Sequence, residues 1–304
     1  MKLDIIGLGE PLMELNQHGG SAYHPGFGGD TSNAIIAAAR SGAKTGYVTR
    51  LGDDTFGRSF LDLWKKERVD CSQVVLDTAA HTGIYFVTHS PAGHEFSYLR
   101  SDSAASRMTP ADLPETYLAN TRALHVSGIS QAISAGAADA VFRAIDIARG
   151  AGALVSYDTN LRLKLWPLER ARAITHEAMR RADIALPGLD DAEQLTGLSD
   201  PDKIADFYLH LGAKIVALTL GRDGSLIATP ERRARVPSIT VKAIDATGAG
   251  DTFDGAFLAE YLVTGDAFRA GRYANAAAAL STQGFGAVAP MPGRAQVLAV
   301  LGQN

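Results

Sequence analysis

The stretch that decides the fold is Asp245-Ala246-Thr247-Gly248-Ala249-Gly250-Asp251-Thr252-Phe253, a run of small residues that leads into a helical pattern. Apolar residues then recur with helical spacing, which predicts an amphipathic helix over Asp251–Val263. Small residues let backbone N–H groups approach a ligand closely, and the start of a helix adds unpaired N–H donors and a partial positive charge. We therefore predict that Gly248, Ala249 and Gly250 form a hole for a phosphoryl group.

Asp251 lies where this helix is predicted to begin, and its carboxylate has two interpretations. It is placed to accept a proton from a hydroxyl nucleophile, and phosphoryl transfer needs little more than an aligned hydroxyl, a base and charge neutralisation. The other interpretation is a helix N-cap. Other nucleotide signatures are missing, because the sequence has no P-loop and Gly7-Leu8-Gly9 lacks the third glycine of a dinucleotide fingerprint.

Outward from this stretch, short apolar runs alternate with longer helical patterns. The predicted strands are Asp4–Gly9, Thr45–Leu51, Ala123–Gly128, Leu154–Asn160, Ile184–Pro187 and Lys214–Leu220. The other predicted helices are Thr31–Ser41, Thr55–Glu67, Ala135–Arg149, Leu168–Arg181, Ile204–Leu211 and Phe268–Thr282. This alternation predicts an α/β fold with a parallel sheet covered on both faces, and in such sheets ligands bind at the carboxyl ends of the strands.

Two segments break the alternation. Thr82–His89 and His94–Arg100 read as strands on either side of Ser90-Pro91-Ala92-Gly93, whose turn chemistry favours a hairpin. Pro11–Phe27 is irregular and contains turn glycines. Together these segments could form a small sheet that closes over a site as a lid and excludes water. The alternative is an edge hairpin without a function.

Composition excludes several classes of protein. The 304 residues carry 29 Lys and Arg against 33 Asp and Glu, a formal charge of −4, so no basic excess indicates nucleic acid or an anionic membrane as a partner. The single cysteine, Cys71, cannot form an internal disulfide. The apolar stretch at the N-terminus is too short for a signal peptide, and no run reaches the roughly 18 apolar residues of a membrane span. We expect a cytoplasmic location.

The motifs, taken together, identify a family. Asp245–Phe253 resembles the C-terminal signature of the ribokinase-like (PfkB) carbohydrate kinases, and Gly28-Gly29-Asp30-Thr31-Ser32-Asn33-Ala34 resembles their N-terminal Gly-Gly signature. Further matching segments lie between them in the family's order, at 51–57, 193–197 and 219–224. The resemblance covers nearly the whole chain. It implies one domain over residues 1–304, a three-layer α/β/α sandwich with a mostly parallel central sheet, and a small β-sheet lid from about 11–27 and 82–101.

Within that family, other segments are similar to the 2-keto-3-deoxygluconate kinases. They are Gly9–Glu14, Tyr98-Leu99-Arg100, Tyr157–Arg162 and Lys164-Leu165-Trp166. The resemblance implies transfer of the ATP γ-phosphoryl group to the 6-hydroxyl of 2-keto-3-deoxygluconate, with Asp251 as general base. Arginine suits such an acceptor, because a sugar acid carries a carboxylate that needs cationic or strong donor partners. Two alternatives stay open: a neutral-sugar kinase of the fructokinase or ribokinase type, and a non-catalytic sugar- or nucleotide-binding protein.

The resemblance also implies roles for single residues. The acceptor-binding residues would be Gly29, Asp30, Asn33, Tyr85, Tyr98, Arg100 and Arg162. The nucleotide-binding residues would be Asn160, Arg162, Thr219, Gly221, Gly224, Gly248, Gly250 and Asn275. Without the resemblance, the glycines would read as turn residues, the tyrosines as packing in the hairpin and the arginines as surface residues.

The magnesium site departs from the family pattern. Many members carry an Asn-x-x-Glu motif, whereas here Gly188 replaces the Asn and Asp191 replaces the Glu. Magnesium should then be held mainly by ATP phosphates and water, with Asp191 or Glu193 acting only through water. The family pattern also leaves open a monovalent cation near Asp245, and it favours a homo-oligomer formed through the lid sheet. The acceptor epimer, gluconate or galactonate type, is not determined by the sequence.

Overall fold

The structure, a computed structural model, describes residues 2–17, 20–90 and 93–302. The strands are β1 (Leu3–Leu8), β2 (Leu12–Gln17), β3 (Tyr23–Gly28), β4 (Thr45–Val48), β5 (Arg50–Gly52), β6 (Val75–Asp77), β7 (Gly83–Ser90), β8 (Gly93–Leu99), β9 (Thr121–Ser127), β10 (Leu154–Asp158), β11 (Ile184–Leu186), β12 (Ile215–Thr219), β13 (Ser225–Ala228) and β14 (Arg233–Val236). The helices are α1 (Asp30–Arg40), α2 (Thr55–Lys66), α3 (Glu115–Ala119), α4 (Gly128–Ala132), α5 (Ala135–Gly150), α6 (Leu168–Met179), α7 (Leu189–Thr196), α8 (Pro201–Leu211), α9 (Ala249–Thr264), α10 (Ala267–Ser281) and α11 (Arg294–Gly302).

The central sheet has eight strands in the order β14-β13-β12-β11-β10-β9-β1-β4. All neighbours from β4 to β12 are parallel, and β13 and β14 continue the sheet antiparallel. The carboxyl ends of the parallel strands therefore share one edge, where ligands are expected. The predicted mostly parallel sheet is confirmed.

Helices cover both faces of this sheet. The side chains of a strand alternate between its two faces, and here apolar side chains on both faces pack against helices. In β1, Ile5 packs into an apolar core with α1, α9 and α10, whereas Ile6 packs into a second core with α5 and α8. The two cores, one on each side of the sheet, establish the predicted three layers.

Helices α1 and α9 cross in very close contact. A Cβ atom at Gly255 of α9 would lie 1.9 Å from the carbonyl oxygen of Ala34 in α1, so only glycine fits there. This backbone contact fixes the distance between the two helices whose first turns carry Asn33 and Asp251.

The irregular segments form a second sheet, in the order β3-β2-β7-β8, which we call the small sheet. The predicted hairpin is present as the antiparallel pair β7–β8, and β2 joins it parallel to β7. The hairpin therefore does not lie at the edge of the central sheet. Four residues of the predicted turns lie outside the described residues: His18, Gly19, Pro91 and Ala92.

The predicted strand Thr45–Leu51 is wrong, because the structure has two strands there, β4 and β5. The run Thr45–Leu51 divides at Thr49, whose hydroxyl donates a hydrogen bond to the carbonyl of Gly9 at 2.7 Å. Only the first part, β4, belongs to the central sheet, and β5 pairs with β6 separately.

Among the described residues, none of the helices combines the length and the apolar character that crossing a membrane requires.

Candidate active site

Asp251 lies in the first turn of α9, at the carboxyl edge of the central sheet. The helix is capped by Gly248, which has a φ of 74°, and no side chain bonds to the cap. The carboxylate of Asp251 instead accepts a hydrogen bond from Asn33 Nδ2 at 2.8 Å, across the crossing of α1 and α9. Asp251 is therefore not the N-cap, and its carboxylate points toward α1.

The surroundings of Asp251 prepare it to act as a base. Its pKa is raised from 3.8 to about 7: burial raises it most, the negative charge of Asp30 also raises it, and the hydrogen bond from Asn33 and the charge of Arg162 lower it. A general base works best when its pKa is near the operating pH. The carboxylate can therefore take up a proton and release it again near neutral pH.

The start of α9 offers an open place for an anion. Gly248 adopts the left-handed conformation, and a Cβ atom there would lie 2.8 Å from the Cβ atom of Ala287. An added Cβ at Gly250, in contrast, would meet nothing within 4 Å. The N–H of Ala249 donates to the carbonyl of Ala246 at 3.1 Å, so the open space beside Gly250 is the feature that fits the predicted binding of a phosphoryl group by Gly248, Ala249 and Gly250.

Residues predicted to contact the acceptor surround Asp251 on the α1 side. Gly29 has a φ of 103°, and a Cβ atom there would lie 2.4 Å from the carbonyl oxygen of Glu10. Asp30 accepts hydrogen bonds from the N–H of Thr31 at 2.8 Å and from Asn160 Nδ2 at 3.1 Å. Asn33 Oδ1 is buried and has no hydrogen-bond partner among the described residues, so it can accept a hydrogen bond from a ligand.

The small sheet carries the other acceptor residues. Tyr85 and Tyr98 face each other across β7 and β8, with ring centroids 6.0 Å apart, and Arg100 follows directly after β8. Arg100 Nη2 donates to the carboxylate of Glu10, which also accepts from Ser103 Oγ at 3.0 Å. In the described part of the chain, Arg100 Nε is buried without a hydrogen-bond partner, so this edge of the guanidinium has unused donor capacity.

Arg162 lies in the loop after β10. Asp191, which replaces the Glu of the family's magnesium motif, holds this loop in place. Asp191 of α7 accepts a hydrogen bond from the N–H of Leu161 at 2.8 Å, and Asn160 has a φ of 25°. The charge of Arg162 lowers the pKa of Asp251. Asn160 is bound to Asp30, on the acceptor side, although it was predicted as a nucleotide contact.

The remaining nucleotide residues lie farther along the sheet edge. Thr219 ends β12, and Gly221 and Gly224 have φ values of 59° and 95° in the following loop. Asn275 is 4% exposed, and its side-chain amide donates to Ser225 Oγ at 3.1 Å and to the carbonyl of Val236 at 2.8 Å. Asn275 thus joins α10 to the edge strands, which matches a packing role, and its contact with adenine stays a prediction.

Within residues 2–17, 20–90 and 93–302, no group of three or more His, Cys, Asp or Glu side chains is placed to hold a metal ion. Asp191 and Glu193 both lie on α7, and the carboxylate of Asp191 is engaged with the backbone of Leu161. Magnesium coordination through ATP phosphates and water fits this donor set.

A buried pair of acids behind Asp251 was not predicted. Asp254, one turn along α9, lies against Asp158 at the end of β10. Burial raises the pKa of both carboxyl groups well above their usual range, and neighbouring negative charges, including those of Asp30 and Asp251, raise it further. Burial and like charge therefore both favour the protonated form of this pair. An acid at the end of a strand gives no sequence signal that separates it from a surface residue.

Known proteins resemble the chain over its full length. Residues 3–294 match the pfkB family carbohydrate kinase domain. The 2-dehydro-3-deoxygluconokinase of Bacillus subtilis is 35% identical over 263 residues, which cover 83% of this chain and 81% of that protein. Fructokinase-1 of Oryza sativa is 35% identical over 284 residues, covering 90% of this chain and 88% of that protein.

A solved structure extends the likeness to the fold. A putative Ribokinase II from E. coli, in complex with ATP and Mg²⁺, superposes with a TM-score of 0.92 at 25% identity, covering 99% of this chain and all of that one. The expected ribokinase-like fold is thereby confirmed. The two relatives differ in their acceptors, so they establish the class of reaction but not the sugar. The chain therefore belongs to the pfkB family of carbohydrate kinases and is a sugar kinase.

Proposed function

We propose that this sugar kinase transfers the γ-phosphoryl group of ATP to the 6-hydroxyl of 2-keto-3-deoxygluconate. The observation that carries the choice of a sugar acid is Arg100, a cation on the small sheet whose buried Nε has no partner in the described part of the chain. Its Nη2 is held by Glu10, so the guanidinium is oriented before a ligand arrives. A carboxylate of the acceptor would complete its hydrogen bonds.

In the proposed mechanism, Asp251 accepts the proton of the acceptor hydroxyl as that oxygen attacks phosphorus. Its pKa of about 7 lets it exist as the free base in neutral solution. The N–H groups of Gly248–Gly250 would hold the phosphoryl oxygens, and Arg162 would stabilise the charge that develops on them. ATP would bring a divalent cation bound to its phosphates, which neutralises charge there.

The remaining assignments complete the proposed site. Gly29, Asp30 and Asn33 would hold the acceptor hydroxyls, and Tyr85 and Tyr98 would close over the sugar from the small sheet, which would act as a lid. Thr219, Gly221 and Gly224 would line the nucleotide site. A monovalent cation near Asp245 is part of the same proposal, as is a cytoplasmic enzyme.

A panel of acceptors tests the proposal. ADP release would be measured with 2-keto-3-deoxygluconate, its galactonate epimer, fructose and ribose, for wild type, Arg100→Ala and Asp251→Asn. We expect the highest kcat/KM for a sugar acid. Arg100→Ala should lose about tenfold or more with the acid, because a charge-assisted hydrogen bond contributes about 1.5–3 kcal/mol, and should change little with fructose.

Asp251→Asn should lose about 100-fold to 10,000-fold in kcat, the usual contribution of a general base, while ATP still binds. A preference for fructose or ribose would replace the acceptor in the proposal and leave the chemistry intact. Binding of ligands without any ATP turnover would favour the non-catalytic alternative.

A homo-oligomer is also part of the proposal. In the edge strand β8, Phe96, Tyr98 and Leu99 are 42%, 42% and 53% exposed, and a second copy could cover this edge of the small sheet. Light scattering of the purified protein would decide the point, and a monomer at micromolar concentration would remove the proposal.

A further inference from the structure

The small sheet contains a buried carboxylate that the proposed mechanism does not use. Glu14 of β2 is 5% exposed, and Tyr85 of β7 lies directly beside it in the parallel pair. The hydroxyl of Tyr85 donates a hydrogen bond to Glu14 Oε2, and Asn16 Nδ2 donates to the other carboxylate oxygen at 3.4 Å.

The backbone makes room for this pair. Gly26 lies opposite Glu14 across β3, and a Cβ atom at Gly26 would lie 3.1 Å from Glu14 Oε1. At Gly28, a Cβ atom would lie 2.8 Å from both the ring and the hydroxyl of Tyr85. The two glycines of β3 therefore accommodate both side chains, and Tyr85 rests against the turn that leads through Gly29 into α1.

The pair lies beside the predicted acceptor residues, because Tyr85 packs against Gly28, which directly precedes Gly29 and Asp30. The hydroxyl of Tyr85 is close enough to Asp251 for that carboxylate to raise the pKa of the phenol, after the larger effects of burial and of Glu14. All of these effects raise the pKa of Tyr85 above its usual value and favour the protonated phenol.

A phenol has one proton, and it can donate only one hydrogen bond at a time. The proton of Tyr85 is directed at Glu14, so the phenol oxygen presents only lone pairs to a ligand. We propose that Glu14 is a positioning residue that makes Tyr85 a hydrogen-bond acceptor, so that this corner of the site selects a hydroxyl group of the substrate and rejects its carboxylate. This inference rests on the proposed function, and it assigns the carboxylate to the arginines.

The inference differs from the simpler expectation that Tyr85 donates a hydrogen bond to the sugar. A fluorine substituent separates the two, because it can accept a weak hydrogen bond but cannot donate one. If Tyr85 accepts, replacing the contacted hydroxyl by fluorine is as harmful as replacing it by hydrogen. If Tyr85 donates, the fluoro analogue keeps part of the interaction that the deoxy analogue loses.

The experiment uses wild type, Glu14→Gln, Glu14→Leu, Tyr85→Phe and the double variant Glu14→Leu/Tyr85→Phe. Each is assayed with the preferred sugar acid and with its deoxy and fluoro analogues at each non-reacting hydroxyl. We expect Tyr85→Phe and Glu14→Leu each to raise the acceptor KM about five- to tenfold, with kcat and the ATP KM changed by less than about threefold. The double variant should be no worse than Tyr85→Phe, because both substitutions break one interaction.

Glu14→Gln is the matched control, since its amide oxygen can still accept from Tyr85 and its shape is conserved. We expect it to restore most of the loss seen with leucine. In wild type, the deoxy and fluoro analogues at one position should be equally poor, and Glu14→Leu should make the fluoro analogue the better of the two, because the proton of Tyr85 is then free to turn.

Each failure points to a different cause. If wild type phosphorylates no sugar acid, the proposed function is wrong. If it does, but the double variant shows additive losses, or the fluoro analogue exceeds the deoxy analogue in wild type, the inference about Glu14 is wrong. If Glu14→Leu does not fold, the deoxy and fluoro analogues can still be compared in wild type and in Tyr85→Phe. An acceptor role for Tyr85 requires that both analogues are equally poor substrates of wild type. It also requires that Tyr85→Phe does not change the KM of either analogue.

Discussion

Replacing Asn33 by alanine is expected to move the acidic limb of the pH–rate profile to higher pH. Asn33 Nδ2 donates to Asp251 Oδ2 at 2.8 Å, and this bond lowers the pKa of Asp251, which burial and Asp30 raise and whose net value is about 7. A hydrogen bond to a charged group contributes about 1.5–3 kcal/mol, and one pKa unit corresponds to 1.36 kcal/mol, so the loss amounts to about one to two units. Asp251 is partly exposed, and solvent screening favours the lower value.

The magnitude follows at a fixed pH. With a pKa of about 7, Asp251 is ionised in about half of the protein molecules at neutral pH. After a rise of about one unit, roughly a tenth is the free base at the same pH, so kcat at saturating substrates falls about fivefold and recovers above pH ~8. If Asn33→Ala only weakened the binding of the acceptor, it would raise the acceptor KM and would leave the acidic limb of the pH–rate profile at its wild-type position.

The assay is coupled ADP release between pH ~5 and ~9, with both substrates saturating and with the coupling enzymes in excess at every pH. Asp30→Asn is the matched control, because Asp30 is the charge that raises the pKa of Asp251 most after burial. Its removal should move the limb to lower pH, opposite to Asn33→Ala. Limbs that stay at the wild-type position in both variants, or move together, would refute the assignment of Asp251 as the titrating base.

Three further outcomes concern stability. Gly248→Ala should destabilise the protein by about 1–2 kcal/mol in urea unfolding, because its φ of 74° is left-handed, whereas Gly250→Ala should not. Gly255→Ala should cost about 3 kcal/mol or more, since the added carbon would lie 1.9 Å from the backbone of Ala34 and α1 would have to move. The raised pKa of Asp254 stabilises the fold below its unfolded value of 3.8 and loses this effect as pH rises through the folded value. Asp254→Asn should therefore flatten the fall in unfolding free energy as pH rises above 3.8, and an unchanged slope would contradict the raised pKa of Asp254.

The fold and the centre of the site were predictable because their signals are local. The small residues before α9 and the Gly-Gly segment before α1 are contiguous in the chain, and strand–helix alternation follows from hydrophobic periodicity. The structure brings the two segments together through the bond between Asn33 and Asp251. The family resemblance implied that these two segments lie in one site, whereas their separation along the sequence gave no such indication.

The roles of Glu10 and Glu14 could not be predicted, because they depend on pairings between distant parts of the chain. Glu14 meets Tyr85 only because β2 lies parallel to β7, and Glu10 holds Arg100 across 90 residues of sequence. Hydrophobic periodicity does not reveal which strands pair. A polar residue in a short strand therefore reads as solvent-exposed until the register is known.

The close crossing of α1 and α9 has a consequence for how this protein can diversify. Gly255 and Ala34 lock the two helices that hold the base and its amide partner, so the chemical step depends on a main-chain contact that tolerates little change. Three of the residues proposed to recognise the acceptor belong to the small sheet or follow it directly, Tyr85 on β7, Tyr98 on β8 and Arg100 after β8, and they can vary without disturbing that contact. New acceptor preferences can therefore arise by substitution in the small sheet while the rate-determining geometry is inherited intact, and directed evolution of this enzyme toward other sugars should begin with libraries in β2, β7 and β8.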